Sequence, residues 1–229
     1  MNKTALIVGA GSGLSAALAR TLATSGYRCA LSARNVEKLA GLCTETGAIA
    51  IACNAAEPDS VDRLFIELDE RLGVPGVVVY NPSARVRGPL IDLDRAKVAA
   101  AITVSAYGGF LVAQAATRRM LPRKEGTILF TGASASIKGY AQSAAFAMGK
   151  FALRGLAQSM ARELAPQGIH VAHVVIDGGI RSAQRPVPAD NPDSLLDPDA
   201  IAQTYMHLIE QQRSAWSWEI EVRPWVERF

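Results

Sequence analysis

The sequence predicts an α/β fold, a doubly wound, parallel seven-stranded sheet with helices on both faces. Short β-branched runs alternate with longer segments of helical periodicity along the whole chain. The strand candidates are mostly apolar on both faces, as required when helices cover both sides of a parallel sheet. A glycine-rich turn joins the first strand candidate to the first helix candidate.

In chain order, the strand candidates are ALIV (5–8), RCALSA (28–33), AIAIAC (48–53), GVVVY (76–80), TILFT (127–131), HVAHVVI (170–176) and WEIEV (218–222). Between them, apolar residues recur at three- and four-residue spacing in 12–25, 37–45, 59–72, 94–120, 142–164 and 200–211, the pattern of amphipathic helices. With 229 residues and no repeat, low-complexity tract or linker, 1–229 reads as a single domain. One irregular stretch, 181–198, is rich in Pro and Asp. It leaves the carboxyl end of a strand, where such folds bind ligands, and reads as a substrate-side loop.

Composition narrows the function classes. The formal charge is only +3, and the densest basic group, Arg118, Arg119, Arg123 and Lys124, falls at a helix end where it complements the dipole. No nucleic-acid partner is expected. Cys29, Cys43 and Cys53 have no metal-ligand spacing, so no metal site is expected and the thiols read as free. MNKTALIVGAG is too short and glycine-rich for a signal peptide. The apolar run from Val98 to Ala116 is interrupted by Thr103, Ser105, Tyr107 and Gln114, which suits a buried or interface helix rather than a membrane span. The expected location is cytoplasmic, with no membrane partner.

Nucleotide binding follows from VGAGSGLSAALA, 8–19. Gly9, Gly11 and Gly13 let the backbone turn sharply against a pyrophosphate, and the next helix offers that anion its unpaired N–H groups. After the second strand stands Arg34, with no carboxylate between Arg28 and Asn35. A carboxylate there would hold a ribose 2′-hydroxyl, whereas an arginine suits a 2′-phosphate. The expected cofactor is NADP(H) rather than NAD(H).

The glycine turn, GVVVYNPSA, GTILFTGASAS and FAMGK, in this order, resemble the short-chain dehydrogenase/reductase family over nearly the whole chain. The resemblance implies a Rossmann-type fold, a nicotinamide cofactor, a small-molecule substrate and a homodimer or homotetramer built on segments 94–120 and 142–164. The family's glycine motif reads Gly9-Ala10-Gly11-Ser12-Gly13-Leu14-Ser15, with serine in the third glycine place. By the same resemblance, Asn54 replaces the aspartate near the adenine, with Ala55 beside it. Asn81 and Pro82 stand in the conserved-type loop after the fourth strand, and Asp177-Gly178-Gly179-Ile180 replaces a Pro-Gly, placing Gly178 and Ile180 along the cofactor.

The catalytic half departs from that pattern. Lys150 matches the family's lysine, whose implied role is to bind the nicotinamide ribose and lower a neighbouring pKa. The tyrosine place holds Phe146, the serine place Ala133 and the asparagine place Ser105. Ser134 and Tyr140 are the candidate replacements for the lost hydroxyls, with Tyr107 a further one. His170 and His173 lie in a strand pattern and read as structural. Two functions remain open: an oxidoreductase with a non-standard proton donor, or a catalytically silent NADP(H)-binding protein acting as sensor or assembly partner.

Overall fold

Seven of the short apolar runs pair into one sheet because each is flanked by a helix long enough to cross back over it. A computed structural model describes residues 3–227. The elements are β1 (Thr4–Val8), α1 (Leu14–Thr24), β2 (Arg28–Ala33), α2 (Ala40–Thr46), β3 (Ile49–Ala52), α3 (Pro58–Arg71) and β4 (Val77–Tyr80). They continue with α4 (Arg95–Ile102), α5 (Gly108–Met120), β5 (Gly126–Thr131), α6 (Ala144–Leu164), β6 (Ile169–Ile176), β7 (Gly179–Ile180), β8 (Leu195–Leu196), α7 (Pro198–Glu210) and β9 (Glu219–Val222).

The main sheet has the order β3-β2-β1-β4-β5-β6-β9 and every pairing is parallel. Strand order therefore reverses between β1 and β4, the place where such sheets open a crevice at their carboxyl ends. Side chains alternate across β1: Ala5 and Ile7 join the core under α1 and α7, while Leu6 and Val8 join the core under α3, α5 and α6. Each strand candidate lands on its predicted residues within one position at either end, and β9 brings the aromatic tail onto the sheet edge beside β6.

Three details were not legible in the sequence. The helix predicted over 94–120 contains a π-helical turn at Thr103–Tyr107. The 181–198 stretch is not wholly irregular, since β7 and β8 pair at its base. The tail then folds over it: Trp225 Nε1 donates to Asp193 at 3.0 Å. The combined helix 95–123 is long and apolar enough to cross a membrane, and Val112, Ala113, Ala115, Ala116 and Met120 pack one face of it into the core shared with α3 and α6. At its end Arg119 bonds Asp69 at 2.6 Å and stacks on Phe65, so part of the basic group is held by a carboxylate as well as by the helix end.

His170 and His173 are both buried in β6. His173 Nδ1 lies 3.0 Å from Glu219, which also takes a two-pronged bond from Arg154. Burial pushes the His173 pKa down to about 4 despite that carboxylate, so the ring is neutral and donates through Nδ1. His170 stacks on Trp216 and bonds the Ser217 carbonyl. Both rings serve to fasten β9 and the tail to the sheet.

Candidate active site

The carboxyl ends of β1, β2 and β4 open onto a cavity of about 670 Å³ lined by Gly9, Arg34, Lys38, Asn54, Ala55, Asn81 and Pro82 among others. Gly9 is required here twice over. Its φ of +81° is a left-handed conformation, and a Cβ on it would lie 2.7 Å from the Pro82 nitrogen. The loop after β4 is thus seated directly on the glycine turn. Ser15 ties the two together: its hydroxyl donates to the Gly9 carbonyl at 3.1 Å and accepts from Asn81 Nδ2 at 2.7 Å. Serine in the third glycine place is accounted for by this bridge.

Ser12 is the exposed residue of the turn, Gly11 is half-buried beside it, and Gly13 is the N-cap of α1. No side chain caps that helix, so its first N–H groups face the crevice with their share of the helix dipole. Among the described residues no carboxylate lines the 670 Å³ cavity, and Arg34 and Lys38 are exposed at its rim. Lys38 was missed in the sequence; its spacing of four residues from Arg34 was the available signal. Asn54 lines the wall, but its side chain is engaged locally, donating to Glu57 at 2.7 Å and accepting from the Ala56 N–H at 3.3 Å.

Asn81 and Ser83 also line a second cavity of about 450 Å³, so the two form one trough along the strand ends. Here Gly13, Leu14, Gly178 and Ile180 meet Ala133, Phe146 and Lys150. Gly178, at φ +152°, packs where a Cβ would lie 2.8 Å from Pro224 Cδ, which brings the tail close to the site. Lys150 is 2 % exposed and donates one bond, to the Thr131 carbonyl at 2.7 Å. An ammonium has three N–H bonds, so two lack a protein acceptor among the described residues. Burial, with the Arg85 charge second, pushes the Lys150 pKa down to about 7.

Phe146, with Arg85, Gly178 and Arg185, lines both this cavity and a third, of about 440 Å³. Arg85 lies over its ring, with the guanidinium carbon 4.2 Å from the centroid, and Lys150 Nζ is 5.9 Å from the same centroid. Ser134 and Tyr140 line the third cavity and not the second. The expected catalytic set is therefore divided, with Lys150 in the lining of the second cavity and both hydroxyl candidates in that of the third. Tyr107 leaves the set, because it stacks on Phe110, is 45 % exposed and lines none of these cavities.

Ser105, in the π-helical turn, is fully buried and accepts from the Ala84 N–H at 3.3 Å. Its Cβ presses against Gly149, where an added Cβ would lie 2.7 Å away. The neighbouring Val104 carbonyl takes the Tyr80 hydroxyl. Such turns free backbone groups from the helical ladder, and this one packs on α6 at Gly149, the residue before Lys150. The residue that sequence reading missed outright is Arg85, which carries no periodic or motif signal.

The short chain dehydrogenase profile matches residues 3–185. The chain is 30 % identical over 180 residues to the 3-oxoacyl-[acyl-carrier-protein] reductase MabA of Mycobacterium tuberculosis, covering 79 % of this chain and 70 % of that one. A short-chain dehydrogenase from Rhodopseudomonas palustris superposes with a TM-score of 0.86 at 34 % identity, covering 98 % of this chain and all of that one. A metagenomic short-chain oxidoreductase in complex with NADP superposes with a TM-score of 0.85 at 28 % identity, covering 98 % and 97 %.

Proposed function

The chain belongs to the short chain dehydrogenase family, and on that premise we propose that it is an NADP(H)-dependent oxidoreductase acting on a small carbonyl or alcohol. The observation that carries this reading is the trough itself. An uncapped helix N-terminus, a carboxylate-free rim with Arg34 and Lys38, and a buried lysine with two spare N–H bonds lie along one continuous cleft. Gly9 to Leu14 would hold the pyrophosphate, Arg34 and Lys38 the 2′-phosphate, and Lys150 the ribose hydroxyls next to the nicotinamide. Asn54, Ala55, Asn81 and Pro82 would wall the adenosine side, Gly178 and Ile180 the nicotinamide side.

When bound, the dinucleotide supplies or accepts the hydride. The protein's own work is to orient the carbonyl beside Lys150 and manage charge and proton there. Arg85, on the Phe146 ring and in the lining of this cavity and the next, adds a fixed positive charge beside the site. Ser134 and Tyr140 line the adjoining cavity, so either would deliver the proton through an intervening water.

The test is calorimetric titration with NADPH and NADH. NADPH is expected to bind at least about tenfold tighter, and Arg34→Asp to reverse that order. Binding of neither nucleotide would end the oxidoreductase reading. A second reading, a silent NADP(H)-binding sensor, is favoured by the Lys150 cavity, whose lining holds no tyrosine or carboxylate; nucleotide binding without turnover on any carbonyl would select it.

Self-association is part of the proposal. Tyr107, Phe110, Met148 and Phe151 expose 45, 41, 54 and 44 % of their surface on the adjoining α5 and α6 region. A homodimer or homotetramer would cover them. Met148→Glu with Phe151→Glu is expected to shift the sedimenting species to monomer; an unchanged distribution would place any interface elsewhere.

A further inference from the structure

We propose that the cavity beyond Phe146 is an anion subsite, in which Arg85, Arg87 and Arg185 hold the carboxylate or phosphate of a substrate whose carbonyl lies beside Lys150. The inference rests on the oxidoreductase reading and names the substrate class for that site. Its basis is an imbalance of charge. Arg85, Arg87 and Arg185 all line the 440 Å³ cavity, and none makes an ion pair or side-chain hydrogen bond among the described residues.

The surrounding cations are matched, which makes the contrast informative. Arg181 pairs with Asp197 at 2.8 Å, and Lys138 and Arg223 face Asp177 at 3.6 and 3.7 Å. Asp177 is thereby already engaged, and Glu227 is the one other carboxylate in the lining among the described residues. The cavity keeps an excess of positive charge. Partial desolvation, then the charges of Arg87 and Arg185, hold the Arg85 pKa below its ordinary value, so the other two guanidinium groups are close enough to act on Arg85. Ser134, Tyr140 and Ser143 add hydroxyls to the same lining. Guanidinium forks with hydroxyl donors are the usual means of seating carboxylate or phosphate oxygens.

Position supplies the rest of the argument. Arg85, Phe146, Gly178 and Arg185 line both this cavity and the Lys150 cavity, so an anion here adjoins the space beside Lys150. Arg87 lines only the outer cavity, away from the trough that Arg34 and Lys38 border. Its charge is therefore directed at substrate rather than at the dinucleotide.

Calorimetric titration of the NADP⁺-saturated protein with inorganic phosphate, and separately with succinate, tests this. Saturable binding of at least one is expected, weakened about tenfold or more by Arg87→Gln with Arg185→Gln and partly recovered by the two Arg→Lys changes. The tighter anion identifies the group. Absence of binding by both anions, or binding undiminished in the Gln variant, overturns the subsite. So does a loss of NADP⁺ affinity as large as the loss for the anion, since the arginines would then serve the cofactor. If the wild-type protein binds no NADP(H), the oxidoreductase reading fails. The same titrations on the free protein then decide the subsite alone: binding lost in the Gln variant retains it, and no binding ends it.

Discussion

Lys150→Met is expected to weaken NADPH binding by about tenfold or more and to change stability in a pH-dependent way. Its gain over wild type in thermal midpoint should be greater at pH 6 than at pH 10, by about 5 °C. The Lys150 amine is buried, its pKa is pushed down to about 7, and it has a single protein acceptor. In the unfolded chain the same amine titrates near about 10.4. Between those values the unfolded state holds a proton that the folded state has released, so this group makes wild-type stability rise with pH. Below pH 7 the folded protein is also charged and the penalty is at its full size; above the unfolded value it vanishes. Methionine keeps the length and loses the charge. Its other costs, such as the Thr131 carbonyl left without a donor, do not vary with pH. Melting curves at the two pH values check the point, and an equal offset at both would show that the amine is not strained by burial.

Phe146→Tyr with Ala133→Ser is expected to raise NADPH-dependent carbonyl reduction by about a hundredfold, within the usual range for a positioned general acid and an oxyanion donor. Both positions line the Lys150 cavity, and the Phe146 ring already lies between the Arg85 guanidinium and the Lys150 amine. A phenol there would have two cations to stabilise its ionised form, which lowers its pKa toward neutrality. The added oxygen would meet the open cavities on either side of the ring rather than close-packed core. Initial rates of NADPH oxidation across acidic and neutral carbonyl compounds measure the effect. No gain with any of them, while NADPH still binds, would show that the cavity does not present a carbonyl to the cofactor.

The fold was legible almost entirely, because its signals are local. β-branched runs and apolar spacing mark β1 to β6, β9 and the long helices within a residue or two. The glycine turn was legible for the same reason, since a strand, a sharp turn and a helix are consecutive in the chain. Less visible were features that depend on strain or on weak pairing: the π-helical turn at Thr103–Tyr107 and the two-residue strands β7 and β8. Neither has enough residues to leave a periodic trace.

By itself the sequence determined the order of elements, the nucleotide turn, the carboxylate-free end of β2 and the Phe146–Lys150 pair one helical turn apart. These depend on residues close in the chain. Only the tertiary structure decided which side chains converge. It set Arg85 on Phe146, 61 positions away, and joined Ser15 to Asn81, 66 away. It also placed Ser134 and Tyr140 in the lining of a different cavity from Lys150, though all three are near in sequence. The physical reason is that strand order and loop packing choose these neighbours. The parallel pairing of β1 with β4 and of β4 with β5 brings loops from distant segments to one edge of the sheet, where propensity and periodicity carry no information.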